Sequence, residues 1–241
     1  VFTSGTTYSI NLVAYSFVLP NITSEHNIVI SVAEHHANLV IWQRIASLSG
    51  CELRFIELDD NGDYDVLQAQ ELIDQNTFIV AIAHISNVLG HVQPVKEITS
   101  LAKQFGAFTL IDGAQAVSHI DVDVVFLNAD FYAFSAHKMF GPTGLGVLFG
   151  QLELLNKMPP LIYGGEMVEK VTRAQTTLAK SPHKFEAGTA PISAVIAFAH
   201  AIEFINAHTF EELQAYNASL VEYTFSKLDQ ISGMDYISPK S

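Results

Sequence analysis

Short apolar runs recur along the chain at 28–32, 53–58, 78–83, 108–111, 131–134 and 145–149. They are rich in Val, Ile and Phe and mostly apolar, without strict alternation. That pattern predicts strands covered on both faces, in a mostly parallel sheet. Between them, apolar positions repeat at helical spacing over 8–17, 39–48, 66–73 and 95–105. Gly50 and Gly106 stand where helices stop, and Asn61-Gly62 marks a turn. Strands alternating with helices through right-handed crossovers predict an α/β doubly wound domain with helices on both faces.

After Gly150 the rhythm changes. Residues 151–158 read as a short helix. Residues 159–184 read as an irregular polar segment containing Gly164-Gly165, too long for a simple connection. Two long helices follow, over 192–207 and 210–231, with Thr209 as a cap for the second. The opening Val1-Phe-Thr-Ser reads as the end of a strand already under way, and 234–241 as a strand entry. Both ends read as those of a fragment of a longer protein. No internal repeat or low-complexity tract interrupts the pattern.

Composition narrows the function classes. With 241 residues, 49% of them hydrophobic, the chain can bury one sizeable core. Its net charge of −13 argues against a nucleic-acid partner held by general electrostatics. A phosphate bound locally by backbone N–H groups and hydroxyls stays open. No apolar run reaches the length of a membrane span, so no membrane association is expected. Cys51 is the only cysteine, which rules out an intrachain disulfide and favours a reducing, cytoplasmic setting.

The chemistry sits where apolar runs end. Phe108-Thr-Leu-Ile111 runs into Asp112, and Phe131-Tyr-Ala-Phe134 runs into Ser135-Ala-His-Lys138. Such endings lie at the carboxyl edge of a parallel sheet, where α/β proteins bind ligands. A lysine there can form a Schiff base, and an aspartate can pair with a protonated pyridine nitrogen. Together they point to pyridoxal 5'-phosphate. Taken alone, a strand-end lysine is most often an exposed loop residue. An aspartate there equally suits a turn or helix cap. Gln115 can bond the ring phenolate oxygen, and Asn87 can donate to a ring oxygen. Gly5-Thr6-Thr7 opens a helix and can hold an anion, although a Ser/Thr cap explains it as well. Ser135 and His137 add phosphate donors. In Glu34-His35-His36 the adjacent histidines lack a Cys/His/Asp cluster at ligand spacing, so no metal site is expected. An imidazole stacked on a cofactor ring is the better use of His35, beside the ordinary one of a hydrogen-bonded structural histidine. No Walker A or early dinucleotide fingerprint is present, since the glycines after Lys138 precede a strand.

In order, the chain carries Ser4-Gly-Thr-Thr7, Ser31-Val-Ala-Glu-His-His-Ala-Asn38, Ser86-Asn87-Val-Leu-Gly90, Asp112-Gly-Ala-Gln-Ala116, Asp130-Phe-Tyr-Ala-Phe-Ser-Ala-His-Lys-Met-Phe-Gly-Pro-Thr-Gly144 and Phe185-Glu-Ala-Gly-Thr189. This array resembles the class V aminotransferase superfamily, and within it the group II cysteine desulfurases and selenocysteine lyases. The resemblance implies a fold-type I PLP-dependent transferase. Residues 1–206 would form the large PLP-binding domain without its N-terminal part. Residues 207–241 would form a connecting helix and the start of a small domain that is largely missing. Lys138 and His35 would be catalytic, His35 stacking on the ring and Asp112 pairing with the ring nitrogen. Asn87 and Gln115 would serve the phenolate side or the substrate carboxylate. Thr6, Thr7, Ser135 and His137 would hold the phosphate, and Thr189 would reach the phosphate of a partner subunit in a homodimer. The implied reaction moves sulfur from L-cysteine, or selenium from L-selenocysteine, leaving alanine. The sulfur passes as an enzyme persulfide to an acceptor protein for iron–sulfur cluster or related synthesis. Transamination, epimerisation, kynurenine cleavage and a non-catalytic module stand as alternatives.

The array departs from the family in particular places. Tyr8 replaces the usual Glu after Gly-Thr-Thr, and Ala190-Pro191 replaces Pro-Asn after Thr189. The family's persulfide cysteine and carboxylate-binding arginine belong to a C-terminal segment outside this chain. Cys51, between Gly50 and the run at 53–58, is expected to be a small buried residue at the core edge.

Overall fold

A computed structural model of the chain describes residues 1–234 and 236. Among these described residues, nine strands form a seven-stranded sheet and a separate hairpin. The strands are β1 (Phe2–Thr3), β2 (Asn27–Ser31), β3 (Glu52–Ile56), β4 (Thr77–Ala83), β5 (Phe108–Asp112), β6 (Phe131–Ser135), β7 (Gly146–Gly150), β8 (Val168–Val171) and β9 (Thr176–Leu178). The helices are α1 (Thr6–Val13), α2 (His36–Ser49), α3 (Val66–Leu72), α4 (Val95–Gln104), α5 (Val124–Leu127), α6 (Leu152–Lys157), α7 (Ile192–Asn206) and α8 (Phe210–Leu228). Every expected run outside 234–241 corresponds to one of these elements. The expected strand entry at 234–241 lies almost wholly outside the described residues.

The large sheet has the order β1-β7-β6-β5-β4-β2-β3. Strands β2 to β6 pair in parallel, while β7 runs antiparallel to both β6 and β1. Strand β1 therefore points the same way as β2–β6. All their carboxyl ends open on one edge.

Both faces of the sheet are covered, as the unbroken apolar runs require. Ile28, Ile30, Ile79, Ala81, Leu110, Phe131 and Ala133 face one core with Ile10, Val13, Ile41, Trp42 and Ile45 of α1 and α2. The intervening Val29, Val80, Ile82, Ile111 and Tyr132 face a second core with Ala69, Val95, Ile98, Ala102 and Leu127 of α3, α4 and α5. A smaller cluster joins Ala136 and Leu145 to Phe198 and Ala201 of α7. Helix α8 buries none of its residues and starts with a capping box between Thr209 and Glu212.

Some expectations need correction. The helix expected over 8–17 begins two residues earlier, at Thr6, and passes into a π-helical stretch at Ala14–Val18. Strand 53–58 ends at Ile56, and Leu58 makes only an isolated bridge to Tyr64. The segment 159–184 is not wholly irregular, since it holds the β8–β9 hairpin. That hairpin is polar and largely exposed, so no buried alternation betrays it. The four-residue α5 is too short to show a helical period.

Glycine at 146 is set by close approach. A Cβ on Gly146 would lie 2.4 Å from Gly5 Cα, backbone against backbone. Gly146→Ala should push the start of α1 away from β7 and destabilise the protein by roughly 1–3 kcal/mol. Urea unfolding checks this, and an unchanged midpoint would contradict it.

Candidate active site

The candidate residues leave the carboxyl edges of five strands. Thr6 and Thr7 follow β1, His35 follows β2, Asn87 follows β4, Asp112 ends β5, and Ser135, His137 and Lys138 end or follow β6. They line one cleft of about 290 Å³, together with Ala37, Ala83, Ile85, Ala114 and Gln115. Thr189 is the exception. It lines a separate groove with Tyr8, Gly144 and the segment 185–191.

One end of the cleft is built to meet an anion. Helix α1 starts after Gly5 with no side-chain cap of its own, which removes the local Ser/Thr cap as an explanation. Its cap comes from across the sheet. Thr6 N donates to Ser135 Oγ at 2.8 Å, and the two hydroxyls meet at 2.7 Å. Gly5 permits the approach, since a Cβ there would sit 3.2 Å from Ser135 Oγ at a φ of +147°. The N-terminus of a helix, with its unpaired N–H groups, thus opens beside Ser135, Thr7 and His137.

The other end carries a buried acid. Asp112 is 5% exposed, and its Oδ1 accepts from Ala114 N at 2.9 Å. This is the turn contact its position allowed. Burial pushes its carboxyl above the usual range. The Ala114 N–H and the nearby Lys138 only partly offset that. The Asp112 carboxylate therefore favours a further positive N–H donor from the cleft. Lys138 is half-buried, and no hydrogen bond or ion pair among the described residues engages it. His35 caps α2, its Nδ1 accepting from Ala37 N at 3.1 Å, which assigns the ring proton to Nε2. The structural and functional uses of His35 are therefore compatible. No group of metal-ligating side chains occurs among the described residues.

A polar pair and a larger polar cluster lie behind the cleft, with no signal in the sequence that joins all their members. Tyr132 Oη meets His84 Nδ1 at 3.0 Å beneath the Asp112 turn. A Cβ on Gly113 would fall 1.9 Å from the Tyr132 ring, so this turn needs glycine. Glu34, buried beside His35, is hydrogen-bonded by Ser31, Asn38, Tyr64 and Ala83. Burial pushes its carboxyl up to about 7 against the pull of these bonds, with Asp112 adding to the rise. Asn38 and Trp42, four residues apart on α2, share a helical face that the spacing shows, whereas Tyr64 is remote in sequence.

Cys51 is buried before β3, at the amino edge of the sheet, opposite the cleft. Burial raises its thiol pKa, so it is a packing residue as expected.

Burial lowers His84 to about 4 from 6.5. The unfolded chain therefore binds a proton that the folded chain refuses. Stability from this residue is present above about pH 6.5 and lost as pH falls toward 4, by roughly 3 kcal/mol at most. His84→Gln should flatten the acid limb of the stability–pH curve over that window, as measured by urea unfolding. An unchanged slope would contradict the burial argument.

Known proteins share this fold. The Aminotransferase class-V family model matches residues 1–241. A cysteine desulfurase of Haloferax volcanii is 44% identical over 239 residues, covering 99% of this chain and 56% of that protein. A probable cysteine desulfurase of Staphylococcus aureus is also 44% identical, with 58% of its length covered. The crystal structure of the Escherichia coli cysteine desulfurase CsdA superposes with a TM-score of 0.94 at 38% identity, over 97% of this chain and 58% of that one. The apo cysteine desulfurase of Thermococcus onnurineus gives 0.94 at 37% identity, over 99% and 59%. The chain spans little more than half the length of these relatives. Its architecture is that of the fold-type I transferases, and the chain belongs to the class-V aminotransferase family.

Proposed function

We propose that the cleft binds pyridoxal 5'-phosphate and forms the cofactor half of a cysteine desulfurase. The observation that carries this reading is the polarity of the cleft. A helix start capped from across the sheet and a buried carboxylate with one hydrogen-bond donor line the same cleft. A phosphate at one end and a pyridinium N–H at the other match both. The bound cofactor supplies an aldehyde and a ring that absorbs negative charge.

The residues divide the remaining work. Thr6, Thr7, Ser135 and His137 hold the phosphate, and Asp112 keeps the ring nitrogen protonated. His35, which lines the cleft, would stack on the cofactor ring. Asn87 and Gln115 orient the phenolate side or the substrate carboxylate. Lys138 would hold the cofactor through its Nζ and would move a proton to and from the substrate α-carbon. Thr189, outside this cleft, serves the phosphate of a second subunit. The net reaction breaks the C–S bond of L-cysteine, forms an S–S bond to an enzyme thiol and returns a proton to carbon, giving alanine. L-Selenocysteine is the parallel substrate. A persulfide so formed feeds an acceptor protein in iron–sulfur or related synthesis, in the cytoplasm. Residues 1–206 act as the large domain. Exposed α8, with Tyr216, Leu220 and Val221 open to solvent, leads on to a small domain.

Cys51, buried at the far edge, is not the sulfur-carrying thiol in this reading. Two expected outcomes follow. Borohydride treatment of the protein with pyridoxal phosphate should fix the label on Lys138, and Lys138→Ala should lose both label and about 10²–10⁴-fold in turnover. A label on another lysine refutes the assignment. Cys51→Ala should leave alanine production by the whole protein unchanged. Loss of turnover in a folded Cys51→Ala variant would show that the acceptor thiol is misassigned.

A further inference from the structure

Glu34 lies at the turn between β2 and α2, directly before His35, and is 8% exposed. Its Oε1 accepts from Ser31 Oγ at 2.6 Å, from Ala83 N at 3.0 Å and from Tyr64 Oη at 3.2 Å. Its Oε2 accepts from Asn38 Nδ2 at 2.6 Å. One donor on each oxygen cannot be reversed. Ala83 N is a backbone N–H. Asn38 is oriented by Trp42, whose indole N–H can only donate and does so to Asn38 Oδ1 at 2.9 Å. The Asn38 amide nitrogen must therefore face Glu34. The position requires an acceptor at both tips of its side chain. A glutamine would set an NH2 group against a fixed donor whichever way it turned.

The bond to Ala83 links this turn to the end of the neighbouring strand β4. Ala83 of β4 lies in register with Asp112 of β5, and the next N–H, from His84, donates to the Asp112 carbonyl at 2.9 Å. Ala83 and His35 both line the cleft. One carboxyl group thus joins the element that carries His35 to the strand that holds Asp112.

We propose that Glu34 is a positioning residue that sets the separation between His35 and Asp112, and with it the gap that receives the cofactor ring. This rests on the cofactor reading above. Glu34 does not line the cleft and acts through its neighbours.

The fixed donors supply a test by exchange. In Glu34→Gln combined with Asn38→Asp, the glutamine carbonyl accepts from Ala83 N. Its NH2 group donates to the carboxylate introduced at position 38, whose other oxygen accepts from Trp42. The charge moves from position 34 to position 38, and every donor regains an acceptor. Pyridoxal phosphate is titrated into the apo-protein, reading affinity and the visible circular dichroism of the bound cofactor. Glu34→Gln alone should weaken binding about tenfold or more and alter the dichroism. The double variant should return both to within about threefold of the parent. A folded Glu34→Gln variant with parental affinity and dichroism overturns the proposal. So does a double variant that recovers neither fold nor binding. If Glu34→Gln does not fold, the double variant decides alone. Failure of the parent protein to bind pyridoxal phosphate would instead overturn the cofactor reading on which the proposal stands.

Discussion

The site depends on the junction between the start of α1 and the end of β6. Thr6 and Ser135 are 129 residues apart, yet their hydrogen bonds bring a helix N-terminus to the carboxyl edge of the sheet. Glycine at 5 and at 146 makes room for that contact. Without it, the unpaired N–H groups of α1 would not face the cleft. The acid end at Asp112 would then have no anion end opposite it. The sheet adds the second condition. Because β1 and β2–β6 run the same way, polar residues placed just after separate apolar runs converge without long loops to carry them.

Around that frame, the cleft is held by buried polar groups that are themselves paired. Tyr132 and His84 support the Gly113 turn from below, and Glu34 ties the His35 turn to β4. Buried polar groups in such networks are costly when unpaired and rigid when paired. Asp112 differs from them in having a single hydrogen-bond donor, from Ala114 N, which leaves room for a further one.

Much of this was legible in the residues. Strands of five to seven residues such as β4 and β5 announce themselves as apolar runs, and a polar residue closing each run marks the ligand edge. Asp112, Ser135 and Lys138 were found that way. The β8–β9 hairpin was not, because its exposed faces impose no apolar period. Nor was the trans-acting cap. Ser135 looked like a phosphate donor, and nothing local in Gly5-Thr6-Thr7 shows that its cap comes from another strand. Glu34 was seen but given no role. Two of its partners, Tyr64 and Ala83, lie 30 and 49 residues away, beyond any helical or strand period.

The polarity of the cleft is tested most directly by comparing pyridoxal phosphate with pyridoxal in equilibrium binding to the purified apo-protein. A built phosphate end should make the phosphorylated form bind at least about 100-fold more tightly, with most of that advantage lost in Ser135→Ala. Equal affinity for the two forms, or an advantage untouched by Ser135→Ala, would contradict it.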